Sequence, residues 1–118
     1  RVGQSLFRKR QKKYWNERCA VTGAETLELL RASHTIPWAL SSPEDRVNVY
    51  NGFLLSPAYD AAFDAHLISF NDDGSLVPSP LITPSELKAL GLDPKARLSK
   101  IELSHLPFLK KHRMKTIK

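Results

Sequence analysis

At 118 residues, the chain is long enough for one domain with a single core, and its 42% apolar and 25% charged residues are typical of a globular rather than a disordered protein. The longest apolar runs are short, such as Gly52–Leu55, so the sequence excludes a membrane-spanning helix. The lone Cys19 excludes an intramolecular disulfide and a zinc site of paired cysteines, and it predicts a reducing, cytoplasmic location.

The net charge of +6 is concentrated at the two ends of the chain, and the middle is net acidic. Residues 1–20 hold seven Lys and Arg against one Glu, and residues 110–118 hold five and no acid. This distribution is typical of a protein whose two basic ends bind a polyanion and whose acidic centre binds a cation. The alternative is that these residues only solvate two surface helices. The start at Arg1, without an initiator Met, predicts a single domain (1–118) taken from a longer chain or a trimmed one.

The first part of the chain predicts a helix followed by two short strands. Residues 4–17 have the apolar spacing of an amphipathic helix. Its expected buried positions are Leu6, Phe7, Tyr14 and Trp15. Residues 19–21 predict a buried strand that Thr22 and Gly23 stop. Residues 27–36 predict a strand whose end carries His34 into a site.

A long polar loop separates that strand from the next strand and helix. Residues 41–51 are rich in turn formers and predict a surface loop, with one helical turn opened by Ser42 and Pro43. Gly52–Leu55 predicts a second strand. Ser56 and Pro57 then form a helix-start signal, so we expect a helix over residues 57–66. Its expected buried residues are Tyr59, Ala62 and Phe63.

The C-terminal part predicts a hairpin, two helices and one further strand. Residues 67–70 and 75–77 flank the turn sequence NDDG and read as a hairpin. Thr83 to Glu86 has a capping-box pattern for a helix that ends near Gly91. Residues 98–103 predict a strand and residues 104–115 a final helix. The whole order predicts an α+β fold.

Three polar residues in the central stretch are of the types that metal-dependent phosphodiester hydrolysis requires, namely a base and two carboxylates. His34 has the intrinsic pKa of a general base. Asp60 and Asp64 are four residues apart, which stacks them on one face of a helix. Their hard oxygen ligands favour Mg²⁺, with Mn²⁺ as a substitute, over zinc. Each of these residues also has a plainer interpretation: His34 as a structural histidine, and Asp60 with Asp64 as a solvated helix face. Asn51 and Gly52, which precede the helix, are in themselves a turn sequence.

Taken together in order, the motifs resemble the restriction-type branch of the HNH endonucleases. The segments that carry the resemblance are CAVTG at 19–23, ASHTIPW at 32–38, Arg46, NGFLLS at 51–56, DAAFD at 60–64 and LISF at 67–70. The likeness extends to GQSLFR at 3–8, LPF at 106–108 and His112 with Arg113, so it covers nearly the whole chain.

The resemblance implies a ββα-metal core at about residues 27–66, flanked by N- and C-terminal helices and an extra β-hairpin. It implies that His34 is the general base, that Asn51 fixes the loop orienting it, and that Asp60 occupies the final family position, with Asp64 as a further metal ligand. Two departures stand out: Ser33 replaces an Asp or His ligand before the base, and Asp60 replaces the final His. Fewer protein groups would then hold the metal, with water or phosphate oxygens completing its shell.

The expected activity is that of a Mg²⁺-dependent endonuclease acting on double-stranded DNA, as the cleavage module of a restriction-like protein. Its specificity is expected to come from a fused domain or from a homodimer. The expected phosphate-binding residues are Arg8, Lys12, Arg31 and Arg46. The alternatives are a catalytically inactive DNA-binding module on the same scaffold and a protein-interaction domain. His66, His105 and His112 lack paired acids and are expected to be structural or surface residues.

Overall fold

The computed structural model describes residues 2–116, and it contains α-helices and two separate two-stranded antiparallel sheets. The predicted α+β class is therefore confirmed. The helices are α1 (Val2–Tyr14), α2 (Pro43–Arg46), α3 (Pro57–Asp64), α4 (Pro84–Ala89) and α5 (Leu106–Met114), and the strands are β1 (Arg31–His34), β2 (Gly52–Leu55), β3 (Ile68–Phe70) and β4 (Leu76–Pro78). Within the described residues, no helix is long and apolar enough to cross a bilayer.

Helix α1 packs across the sheet of β1 and β2 with a stripe of residues four apart. Phe7, Gln11 and Trp15 are buried, and the amide of Gln11 joins the Trp15 indole to the carbonyl of Val49. The prediction that Leu6 points inwards is wrong, because its side chain lies on the opposite side of the helix and is 39% exposed. The helix ends before the predicted boundary because residues 16 and 17 adopt left-handed backbone angles of 55° and 58° in φ.

Residues 19–23 form a turn, so the strand predicted for residues 19–21 is wrong. The Cys19 sulfur accepts hydrogen bonds from the backbone N–H groups of Val21, Thr22 and Ser56 at 3.3–3.4 Å. Burial raises the pKa of the thiol, but the Thr22 side chain and these three N–H groups together lower it by more, so the net shift is downwards. The single cysteine therefore fastens this turn to the start of α3.

Strands β1 and β2 form an antiparallel pair whose register places Ser33 opposite Phe53 and His34 opposite Gly52. The strand predicted over residues 27–36 is shorter than expected, since Leu27–Leu29 is a turn of 3₁₀ helix. All four residues of β2 are buried. A Cβ at Gly52 would lie 2.2 Å from the Ser33 carbonyl oxygen and 2.5 Å from the Phe7 ring, so glycine permits this close packing.

Helix α3 follows β2 directly and packs against β1. Its buried residues are Tyr59, Ala62 and Phe63, as predicted. The helix ends at Asp64, before the predicted boundary, and His66 has a φ of 59°. Such left-handed residues commonly end helices.

The C-terminal region confirms the predicted hairpin of β3 and β4 and the helix that Thr83 caps through the Glu86 N–H. The strand predicted over residues 98–103 is wrong, because this stretch makes only isolated bonds to two separate segments, including Leu98 N–H to the Gly74 carbonyl. His105 and His112 are both buried structural residues. The His112 ring bridges the Ser69 hydroxyl and the Phe63 carbonyl at 2.8 Å each.

Candidate active site

One polar cleft with a volume of about 470 Å³ opens where α1, β1 and α3 meet. It is lined by Gln4, Phe7 and Arg8 of α1, by Arg31, Ala32 and His34 of β1, and by Asp60 of α3. The cleft therefore brings together the predicted base, one predicted metal ligand and two predicted phosphate-binding arginines. Asn51, Asp64, Arg46 and Lys12 are not among its lining residues.

The His34 side chain stands at the end of β1 and is held from two sides. Its Nε2 atom lies 2.8 Å from the Arg46 carbonyl oxygen. A carbonyl can only accept, so Nε2 carries the proton and Nδ1 keeps its lone pair. The imidazole also stacks on the Phe7 ring, with centroids 3.7 Å apart and 13° between the planes. Burial lowers the pKa of His34, although the Arg46 carbonyl opposes the shift. The ring is therefore neutral at neutral pH and able to accept a proton at Nδ1.

Asn51 lies behind the cleft, fully buried, and ties together the loop that orients His34. Its Oδ1 accepts from the Ile36 N–H at 2.8 Å. Its Nδ2 donates to the Ser41 hydroxyl at 3.2 Å and to the Asp45 carbonyl at 3.0 Å. Because Asp45 precedes Arg46, this amide fixes the main chain whose carbonyl holds the imidazole. Asn51 is thus a loop-positioning residue and not only part of a turn.

Asp60 presents the cleft's carboxylate from the first turn of α3. Burial raises the pKa of this carboxyl, while a hydrogen bond from the Ser33 hydroxyl opposes the shift. The charge of Asp64, one helical turn further along, also raises the pKa of Asp60, and the charge of Arg31 lowers it. Asp64 itself is exposed, so only Asp60 faces the cleft directly. Ser33, expected to be a missing ligand, instead supports the carboxylate.

The donor groups fit a hard cation held by few protein ligands. Within residues 2–116, no three His, Cys, Asp or Glu side chains are grouped as a metal centre. The half-buried Asp60 nevertheless lacks full compensation of its charge, since burial outweighs the help of its neighbours. A divalent cation beside this carboxylate would supply it. Oxygen donors and a mostly aqueous shell are what Mg²⁺ accepts and zinc sites avoid.

The four predicted phosphate-binding residues occupy different surroundings. Arg8 lines the cleft while donating to the carbonyls of Leu30 and Leu27 at 2.8 and 3.2 Å. Arg31 is exposed at the cleft. Arg46 donates to the Trp38 carbonyl and lies over its ring, and Lys12 is half-exposed on the next turn of α1 after Arg8.

Sequence reasoning missed three contributors to this site. Phe7 was expected only as a core residue, Gln4 had no assigned role, and Ser41 was read as part of a loop. Ser41 accepts from Asn51 and donates to the carbonyls at 36 and 37. One signal was available for the first two, since Gln4, Phe7 and Arg8 share one face of α1 and lie within the segment GQSLFR that extends the family resemblance.

Comparison with known proteins gives a match to one family model. Residues 19–71, somewhat less than half of the chain, match the model of a family described as HNH endonuclease. The match begins at the Cys19 turn and ends just after β3, so it contains β1, β2 and α3. No curated protein gives a significant match.

Proposed function

Because residues 19–71 belong to the HNH endonuclease family, we propose that this domain hydrolyses phosphodiester bonds of double-stranded DNA, with His34 as the general base. HNH domains are in general nucleases that use a divalent metal. In this proposal β1, β2 and α3 form the ββα-metal core, at about residues 27–66, of a single domain over 1–118. The observation that carries the proposal is the neutral His34 imidazole, with its Nδ1 lone pair free, in the same cleft as the Asp60 carboxylate.

In this mechanism His34 takes a proton from the attacking water at Nδ1. The Nε2–H group stays hydrogen-bonded to the Arg46 carbonyl oxygen throughout, so the imidazolium that forms keeps an acceptor for this proton. Phe7 restricts rotation of the ring, and Asn51 keeps the carbonyl in position. Such prepositioning lowers the barrier because the base needs no reorientation before the reaction.

Asp60 would hold the metal ion, with Asp64 reaching it through water or directly. When bound, a Mg²⁺ ion stabilises the negative charge that develops on the phosphate and on the leaving oxygen. The Ser33 hydroxyl lowers the pKa of Asp60 and so favours the ionised carboxylate, which is the form that binds a cation. Arg31 and Arg8, which line the same cleft, contact the phosphate that is being cleaved.

The wider role proposed is that of a cleavage module in a restriction-like protein. The charged and hydrogen-bonding groups of the cleft suit a phosphate. Because phosphates are the same in every DNA sequence, these groups would not select a target. Target choice is therefore assigned to another surface, either a fused specificity domain or the second subunit of a homodimer.

The decisive experiment is plasmid cleavage with and without Mg²⁺, comparing the wild type with His34→Ala. We expect cleavage to stop with a chelator and to fall about 10²- to 10⁴-fold in the variant, the usual contribution of a general base. DNA binding by His34→Ala should be unchanged. Methylated and unmethylated plasmids run side by side reveal any dependence on base modification.

Three other results would replace this proposal. Equal cutting by the wild type and His34→Ala would exclude His34 as the base. Salt-sensitive binding without cleavage in Mg²⁺, Mn²⁺, Ni²⁺ or Zn²⁺ would identify an inactive DNA-binding module. Failure to bind DNA at low salt would indicate a protein-interaction domain.

A further inference from the structure

The indole of Trp38 is a third neighbour of the His34 imidazole, besides the Phe7 ring and the Arg46 carbonyl. It meets the imidazole edge-on, with ring centroids 5.9 Å apart and 81° between the planes. Edge-to-face contact is a preferred arrangement of aromatic rings. Because Phe7 stacks flat on the same imidazole, the two side chains contact the base in different orientations. Together they restrict its movement more than either would alone.

Arg46 holds Trp38 with its side chain. Its Nε donates to the Trp38 carbonyl at 2.9 Å, and its guanidinium carbon lies 4.7 Å from the centre of the indole ring. A cation over the face of a tryptophan ring is attracted to it. The carbonyl of the same arginine accepts the hydrogen bond of His34 Nε2–H at 2.8 Å. Arg46 therefore contacts the base directly through its main chain and indirectly, through Trp38, with its side chain.

Helix α1 approaches the same indole closely. A Cβ at Gly3 would lie 2.6 Å from Cη2 of Trp38, which is closer than such atoms pack. The indole is a rigid ring system, so it could relieve this contact only by moving as a whole. The helix therefore leaves the indole no room to move towards Gly3.

We propose that Arg46 is a positioning residue for the general base: its side chain acts through Trp38 to keep the His34 imidazole where the Arg46 carbonyl can hold it. The proposal rests on the proposed function and deepens it, because it assigns Arg46 to the base rather than to DNA phosphates. Arg46 was expected from the sequence to bind phosphate, but it is not among the residues that line the cleft. Its terminal nitrogens can still reach outwards, so the experiment has to separate the two roles.

The test is Arg46→Lys, which keeps the charge but has a carbon in place of Nε, the atom that donates to Trp38. Arg113→Lys is the matched control, since Arg113 also donates to a main-chain carbonyl, that of Phe70, and lies outside the cleft. The first measurement is the exchange of the His34 Nε2–H proton with water, followed by NMR without DNA. We expect exchange to be about tenfold faster in Arg46→Lys, because the hydrogen bond opens more often. The control should exchange at the wild-type rate.

Cleavage and DNA binding give the second comparison. At saturating enzyme with Mg²⁺, the single-turnover rate of Arg46→Lys should fall about tenfold, because the base is correctly oriented for less of the time. Binding to a duplex is measured with a chelator present to prevent cutting. The slope of log K against log salt should keep its wild-type value in both Arg46→Lys and Arg46→Gln. Loss of a phosphate contact would instead reduce the slope in Arg46→Gln by about 0.9.

Gly3→Ala disturbs the indole from the side of α1 and leaves Arg46 unchanged. Alanine is a better helix former than glycine, so the substitution does not weaken the helix itself. We expect faster exchange of the His34 Nε2–H proton in this variant too, because the displaced indole no longer supports the imidazole. Wild-type exchange in Gly3→Ala would contradict a role for Trp38 in holding the base.

Two further results would overturn the positioning role of Arg46 while leaving the proposed nuclease intact. One is exchange and cleavage in Arg46→Lys equal to those of Arg113→Lys. The other is a slope reduced by about 0.9 in Arg46→Gln, which would make Arg46 a phosphate ligand. A wild type that never cuts DNA, but shows faster exchange in Arg46→Lys, would instead overturn the proposed function and retain the part of Arg46 in holding the imidazole.

Discussion

The ring of Phe7 lies flat against the imidazole of His34, with 3.7 Å between centroids, although 26 residues separate them in the chain. Replacing Phe7 with Leu keeps the site apolar but removes this stacking. We expect cleavage to fall about tenfold, because the base is less well oriented. Phe70→Leu is the matched control, since it also truncates a fully buried ring but lies outside the cleft. Equal losses in the two variants would mean that Phe7 acts only through stability.

The pH dependence of cleavage should reflect the lowered pKa of His34. A base works only when deprotonated, and burial lowers the pKa of this imidazole below 6.5. The single-turnover rate should therefore still be above half of its maximum at pH 6.5 and fall to half only at a lower pH. Stopped-time cleavage assays between pH 5 and 8 measure this directly. A half-maximal rate above pH 6.5 would contradict the assignment.

Removing the Asn51 amide should damage both stability and activity. Asn51→Ala leaves the partly buried Ile36 N–H without its acceptor and removes the donor to the Asp45 carbonyl. We expect a loss of about 3 kcal/mol in the free energy of unfolding and cleavage below detection. Asn48→Ala removes the partly buried Asx-turn bond from the Tyr50 N–H and should cost less than about 1 kcal/mol. Urea denaturation of both variants gives the comparison, and similar costs would argue against a special role for Asn51.

Gly52→Ala tests the close packing of α1 on the strand pair. Its Cβ would meet the Ser33 carbonyl and the Phe7 ring, so we expect a destabilisation of about 3 kcal/mol or more. Gly91→Ala meets no atom within 4 Å but has a φ of 79°, and it should cost only about 1 kcal/mol through backbone strain. Thermal unfolding of the two variants distinguishes a clash from strain. A Gly52→Ala protein as stable as Gly91→Ala would show that α1 can shift freely.

Acid should destabilise the fold through His112. Burial lowers its pKa from 6.5 to about 4, so the unfolded chain binds more protons than the folded one between these values. The free energy of unfolding should therefore fall as the pH decreases from 6.5 to 4, by up to about 3 kcal/mol from this residue. His112→Gln should be less stable at pH 7 but show a shallower pH dependence. An unchanged dependence would assign the effect to other groups.

The elements that sequence predicted well are those specified by local signals. Ser56 with Pro57, Thr83 with Pro84, and the NDDG turn each fix an element boundary within a few residues, and the structure has all three. The strands predicted for residues 19–21 and 98–103 failed because their backbone N–H groups make single bonds to different segments rather than a continuous ladder with one partner strand. The Ala20 N–H, for example, donates to the Leu54 carbonyl.

The sequence predicted which residues form the site, but it did not predict which residues hold them in place. His34 and Asp60 follow from the motif, and they do line one cleft. The Phe7 stack depends on how α1 docks, which the spacing of apolar residues does not determine. The Ser33 hydrogen bond to Asp60 depends on the register of β1 against α3. Both are tertiary relationships between segments far apart in the sequence.

The acceptor for the His34 imidazole is a main-chain oxygen, at residue 46. No amino-acid replacement can delete that atom, and the amide that positions it is buried at Asn51. The exposed side chain of Glu44, in the same loop, takes no part in holding this oxygen. Substitutions on the exposed side of this loop can therefore change its surface while the acceptor of the His34 imidazole stays in place.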